Sequence, residues 1–328
     1  MRRWLVVLVV AALGCGAAVW WWLDQPLPLA ATPVELSIEP GMSARVIAQA
    51  IEDSGVQTPS WALFWWFRVS GQSRLIRAGS YELGEGTTPR TLLRKLVRGE
   101  ESLRIVTFIE GWTFRQVREA LAKAEGLQPE SKSMADAALM TALGRPGVAP
   151  EGRFFPDSYA YAKGSSDLAV LRRALHAMDK KLDAAWAQRL PTAVVKTPEE
   201  ALTLASIVEK ETGRVSDRAQ ISGVFNNRLR VGMMLQTDPS VIFGLGERFD
   251  GNLRRRDLQA DTPYNTYTRT GLPPTPIALP GQQSLLAAVQ PADTRALYFV
   301  SRGDGSSHFS SSLEEHNRAV NKYQRGTQ

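Results

Sequence analysis

Apolar positions along the chain fall into three patterns, and each predicts a different kind of element. The first is an uncharged run over residues 4–23, preceded by Met1-Arg2-Arg3 and followed by Asp24. At helical rise it matches a hydrocarbon layer of ~30 Å, so it predicts a transmembrane helix. The second is a set of short strand-like runs at residues 34–38, 79–83 and 103–109. Each leads into one signature: a glycine, a hydroxyl residue two on, an arginine four on, and aliphatic residues six and ten on. The copies are Gly41, Ser43, Arg45, Ile47, Ile51; Gly86, Thr88, Arg90, Leu92, Leu96; and Gly111, Thr113, Arg115, Val117, Leu121. Each copy predicts a strand, a glycine turn, an N-cap hydroxyl and a short amphipathic helix. Their uneven spacing argues against a solenoid. The third pattern is the longer helical period, at residues 168–190, 197–213 and 313–323.

Between these segments the chain is punctuated. Residues 24–33 hold three prolines and read as a short semi-rigid linker. Residues 129–150 read as a partly helical connector, and residues 297–300 and 308–310 as a hairpin around Gly303-Asp304-Gly305. Residues 36–56 resemble a LysM-type glycan-binding module. The second copy of the signature completes that module with an aromatic helix bearing Trp61, Phe64, Trp65, Trp66 and Phe67. Those rings suit stacking on sugars, and equally a small core or a position near a bilayer. The fold class is therefore α+β: an anchor over residues 1–23, the linker, a LysM-like module over residues 34–102, and a mixed α+β domain over residues 103–328.

The helix over residues 197–213 carries the best-placed chemistry. Thr197 is a good N-cap, Pro198 suits the first helical position, Glu200 completes a capping box and Gly213 is a natural stop. Ala201, Leu204, Ala205 and Val208 define a buried face. Glu211 falls at the edge of that face, Glu209 on the other flank, and Lys210 toward solvent. A carboxyl held against an apolar wall is harder to ionise and can serve as an acid near neutral pH. A plain amphipathic helix with a charged last turn shows the same pattern, so the neighbouring motifs matter.

Downstream lie Asn226-Asn227-Arg228-Leu229, Leu235-Gln236-Thr237-Asp238-Pro239-Ser240-Val241, Tyr264-Asn265-Thr266-Tyr267 and Gly271-Leu272-Pro273-Pro274-Thr275-Pro276-Ile277. Upstream lie Ile109-Glu110-Gly111-Trp112-Thr113 and the segment from Glu151 to Tyr159, whose aromatics suit a sugar groove. With the Ala205-to-Thr212 run, this series resembles the endolytic murein transglycosylases of the YceG-like (MltG) family, from Val34 to Tyr323. The resemblance implies a catalytic acid at the second glutamate of the Glu-Lys-Glu-Thr run, Glu211. It implies a lytic transglycosylase that cuts the bond between N-acetylmuramic acid and N-acetylglucosamine within nascent strands. The products would be 1,6-anhydro ends, and strand elongation would stop. Gln236, Thr237, Asp238, Tyr264, Asn265 and Tyr267 are the candidate substrate contacts. Asp238 is the best second carboxylate, with a turn-capping role as its alternative because Pro239 follows it.

Charge and cysteine usage refine the setting. Arg2 and Arg3 before the apolar run and Asp24 after it predict a cytoplasmic N-terminus, with the bulk of the chain outside the inner membrane. No small-residue cleavage site precedes Asp24, which favours an uncleaved anchor over a signal peptide. Cys15, the only cysteine, lies in that run and in a poor lipoprotein context, so disulfides and thiol catalysis are excluded from the rest. A net charge of +6 and a pI near 9.5 favour anionic surroundings. For an exported chain those are lipid head groups and carboxylate-bearing wall polymer, not nucleic acid. Arg254-Arg255-Arg256 reads as a solvated basic run.

Three histidines, His176, His308 and His316, form no ligand motif, and no nucleotide fingerprint or serine elbow is present. Neither metal nor cofactor is expected. The expected partners are peptidoglycan strands, membrane lipid through the N-terminal helix, and cell-wall synthases. A non-catalytic glycan-binding scaffold built on the same modules remains the alternative.

Overall fold

The computed structural model describes residues 2–100 and 102–326. In chain order its elements are α1 (Arg2–Leu23), β1 (Val34–Ile38), α2 (Ala44–Asp53), α3 (Ser60–Val69), β2 (Gly79–Leu83), α4 (Pro89–Arg98) and β3 (Leu103–Thr107). There follow α5 (Phe114–Lys123), α6 (Asp136–Ala142), β4 (Ser158–Ala162), α7 (Asp167–Trp186), α8 (Pro198–Glu211), α9 (Val215–Arg230) and α10 (Asp238–Leu245). The chain closes with α11 (Arg255–Gln259), α12 (Gln282–Val289), β5 (Tyr298–Ser301), β6 (Ser307–Ser310) and α13 (Leu313–Tyr323). Among the described residues the strands pair two at a time: β1 with β2, β3 with β4, β5 with β6. The architecture is mixed α and β in two compact units, Met1–Arg104 with Ala160–Ser165, and Ile105–Tyr159 with Ser166–Gln328.

In the first unit β1 and β2 run antiparallel, with Val34 opposite Leu83 and Leu36 opposite Tyr81. Their alternate residues Val34, Leu36, Ile38, Tyr81 and Leu83 point inward onto Ile47 and Ile51 of α2, Leu63 and Phe67 of α3, and Leu92 and Leu96 of α4. The repeated signature folds as it reads. Gly41, Gly86 and Gly111 take φ of 88°, 80° and 78°, where a side chain would be strained. Ser43, Thr88 and Thr113 then cap α2, α4 and α5, each accepting from the backbone N–H three residues on.

The expected transmembrane anchor is corrected. Among the described residues no helix is long and apolar enough to cross a membrane. Residues 4–23 do fall within a helix, α1. Its last turn also belongs to the folded unit. Leu23 is buried, Trp22 packs against the core of this unit, and Arg90 of α4 covers the Trp20 ring and pairs with Asp24 at 2.8 Å.

The second unit is built around α8, against which α7, α9, α10 and α12 pack. Every residue from Ala201 to Val208 is buried, so α8 is enclosed on all sides and not on one face only. Ser206 is satisfied inside this core: its hydroxyl donates to the Thr203 carbonyl at 2.7 Å and accepts from the Ile277 N–H at 3.0 Å. The segment from Glu151 to Tyr159 is structural. Phe154 stacks on Phe114 at 5.1 Å, Phe155 and Tyr159 are buried, and the Tyr159 hydroxyl donates to the Phe155 carbonyl. The Glu151 carboxylate accepts from the Phe114 N–H at 3.1 Å, at the start of α5. Burial pushes that carboxyl up to about 7, against the helix-end hydrogen bond that lowers it.

Candidate active site

The end of α8 separates two carboxylates that share a helix turn. Thr197 caps the helix start by accepting from the Glu200 N–H, and the Glu200 carboxylate reaches back to the Lys196 N–H. The helix stops at Glu211 because Thr212 turns extended, at φ −148°, and its hydroxyl takes the Arg214 N–H. Gly213 does not form the left-handed stop its sequence position predicts.

Glu209 has both of its oxygens engaged within the fold. One of its oxygens pairs with the buried Arg218 guanidinium of α9 at 2.8 Å, and the other accepts from the Gly281 N–H at 2.9 Å. Glu110, from the Ile109-to-Thr113 motif, stands 3.6 Å from the same guanidinium. Lys210 is exposed and reaches the Gly111 carbonyl at 3.2 Å. Only the carboxyl of Glu211 is left with a neutral partner: the Thr237 hydroxyl donates to its Oε1. Burial is the largest influence on it, and with the nearby Asp238 charge it pushes the Glu211 carboxyl up to about 7. The Thr237 hydrogen bond and the Arg228 charge pull the other way. The carbonyl end of α8 adds a negative partial charge that also disfavours ionisation.

The facing wall is the Gln236–Ser240 segment and the loop around Tyr267. Thr237 stands at the N-cap of α10 yet makes no capping bond, because its hydroxyl is turned to Glu211. Its place is fixed from behind: the Thr237 N–H donates to the Thr266 hydroxyl at 3.0 Å, and Ser240 and Thr266 share a hydrogen bond of 2.9 Å. Gln236 is exposed, takes φ 51° and donates its N–H to the Thr266 carbonyl. Such a backbone is sparsely populated for a residue with a side chain, and it is held by the pairing on both sides. Asp238, the exposed first residue of α10, accepts from the Tyr267 hydroxyl at 2.5 Å. Burial and the Asp238 bond hold the Tyr267 phenol well above the usual tyrosine range.

The sequence-predicted residues thus divide into two groups. Glu211, Thr237, Asp238 and Tyr267 form two linked pairs, with the exposed Gln236 beside them. Tyr264 and Asn265 lie behind. The Tyr264 ring meets Phe243 edge-on, and its hydroxyl bonds to Thr275. The buried Asn265 amide donates to the carbonyls of Asp257, Leu258 and Ala260, while its oxygen accepts from the Tyr267 N–H. Two residues were given no role by the sequence reading: Arg228, named there only within its motif, and Arg218. Arg228 is buried, donating to the Leu297 and Leu235 carbonyls at 2.7 Å, and so holds the loop that leads into Gln236. Arg218 anchors the last turn of α8 through Glu209. Their signal was present as charged residues on the face of α9 that the neighbouring Ile221, Val224 and Phe225 mark as buried.

This geometry is found in a chain with identifiable relatives. The model of the YceG-like family matches residues 36–322, running through both units as one match. A protein named endolytic murein transglycosylase from Bacillus subtilis is 30% identical over 309 residues, covering 89% of this chain and 85% of that protein. One of the same name from Streptococcus pneumoniae is 27% identical over 352 residues, covering 96% of this chain and 63% of that one. The crystal structure of a YceG-like protein from Listeria monocytogenes superposes with a TM-score of 0.57 at 28% identity, over 88% of this chain and 98% of that one. The chain belongs to the YceG-like family.

Proposed function

We propose that this chain is a lytic transglycosylase that cleaves the glycan strands of peptidoglycan within their length, with Glu211 as general acid and then general base. The observation that carries this reading is a buried carboxyl, at about 7, at the end of an enclosed helix and bonded to a neutral hydroxyl. The names of the relatives support the reaction class and murein as the substrate, and a murein substrate is in keeping with work in the cell envelope.

A single such carboxyl suffices for an intramolecular displacement. Protonated Glu211 gives its proton to the oxygen joining C1 of N-acetylmuramic acid to the next sugar, and that bond breaks. The resulting carboxylate accepts the proton of the C6 hydroxyl of the same muramic acid as its oxygen closes on C1. The product is a 1,6-anhydro end, and water is not consumed. The Asp238 carboxylate, oriented by Tyr267, supplies negative charge beside the positive charge that develops at C1. Thr237 orients Glu211 and bonds its carboxylate form when the proton has left. Hydrolysis would instead require a second carboxylate to activate water.

Glu211→Gln keeps the Thr237 hydrogen bond and cannot deliver a proton. Release of wall fragments should fall by roughly 10²-fold or more with the fold intact. Glu209→Gln is the comparison. It leaves Arg218 short of its buried partner, so melting should drop, but the folded protein should stay within about tenfold of wild type, since the acid is untouched. An inactive folded Glu209 variant beside an active Glu211 variant would reassign the acid.

A further inference from the structure

The structure assigns a second surface to the first unit: we propose that the face formed by α3 and α4 docks on a bilayer surface rich in anionic phospholipid head groups. The core of this unit takes Leu63 and Phe67 from α3, both fully buried, with Phe64 and Trp66 packed partly against it. Trp61, Trp65 and Val69, each one turn from the next, are 68%, 59% and 78% exposed. A stripe of large apolar side chains facing water in this way marks an interaction surface.

Cations border the stripe on both sides. Arg68 is exposed on the same helix, and the Arg45 guanidinium lies 5.2 Å from the centre of the Phe64 ring. On the other side the Trp66 indole donates to the Pro89 carbonyl, bringing α3 against the start of α4. There a cavity of about 390 Å³ is lined by Trp66, Arg90, Leu93, Arg94, Val97 and Arg98. Its three arginines are one helical turn apart. Arg90 is paired with Asp24, and Arg98 stands 3.6 Å from Glu100, whereas Arg94 has no ion pair among the described residues. At the start of α3 the nearest carboxylate, Glu52, is tied to the Ser60 N–H at 2.8 Å. Tryptophans prefer the depth of lipid head groups, and arginines beside them add attraction to anionic lipid. A sugar strand would call for a groove under the rings, yet the cavity lies beside the Trp61–Trp65 stripe, on the flank of Trp66.

The test uses the full chain with Cys15→Ser and an environment-sensitive fluorophore on Val69→Cys, compared with the same label on Val231→Cys. Vesicles of equal parts phosphatidylglycerol and phosphatidylcholine carry a lipid-borne quencher. The local label matters because attachment through another part of the chain does not bury position 69. Quenching at position 69 should exceed that at 231 several-fold. It should largely disappear in pure phosphatidylcholine, and in a variant with Arg68, Arg94 and Arg98 changed to Glu. A Trp61→Ser/Trp65→Ser variant, which alters only exposed side chains, should lose it too. Three results would each overturn the proposal: an unquenched label 69 on vesicles that carry the chain, quenching indifferent to lipid charge and charge reversal, or shielding of label 69 by glycan fragments or self-association instead of vesicles.

Discussion

Glu209 and Glu211 are two residues apart on one helix, and their partners set them apart more than helical phase does. Glu209 meets Arg218 and the Gly281 N–H, while Glu211 meets a hydroxyl. The sequence contains both carboxylates but not this difference, because the partners come from α9 and from loops up to 72 residues away. Asn265 teaches the same lesson: its residue type suits sugar binding, and its amide is engaged by three loop carbonyls. A raised carboxyl has a consequence for stability. Folded Glu211 holds its proton between its ordinary value of 4.5 and about 7, a window in which the unfolded chain has released it. Stability therefore falls as pH rises through that window, with the full effect present above about 7. The difference corresponds to roughly 3 kcal/mol as an upper bound. Glu211→Gln should melt higher than wild type at pH 8, and the gap should close as pH falls toward 4.5. Calorimetry across that range checks it, and a variant less stable than wild type at pH 8 would contradict the burial argument.

At the scale of elements, local signals were the legible ones. The glycine turns and hydroxyl caps of α2, α4 and α5, the start of α8, the β5–β6 hairpin and α13 all rest on interactions within a few residues. The enclosure of α8 was not legible, because period alone does not say how many neighbours surround a helix. Nor was the fate of Phe154, Phe155 and Tyr159, which fill the core beside α5 and α7. Gly152 shows how tightly that region is joined. It takes φ 75°, and a Cβ there would lie 2.4 Å from the Pro276 side chain, next to the segment that meets Ser206. Gly152→Ala should destabilise the second unit by about 3 kcal/mol, combining backbone strain with overpacking. Denaturant unfolding is the direct check, and a near-neutral result would mean that this segment shifts without resistance.

At the scale of the molecule, family membership and the mixed α and β architecture were legible from several motifs in order along the chain. The N-terminal run was misread because an uncharged stretch of the right length resembles a membrane span whether or not its end packs elsewhere. Here Trp22 and Leu23 serve the first unit. The central claim is that one buried carboxyl in the second unit performs both proton transfers without water. Digestion of purified wall in ¹⁸O-labelled water, followed by mass spectrometry of the released strands, tests it most directly. The expected result is 1,6-anhydro ends carrying no ¹⁸O. Reducing ends that carry ¹⁸O would contradict it, and would make Asp238 the candidate for activating water.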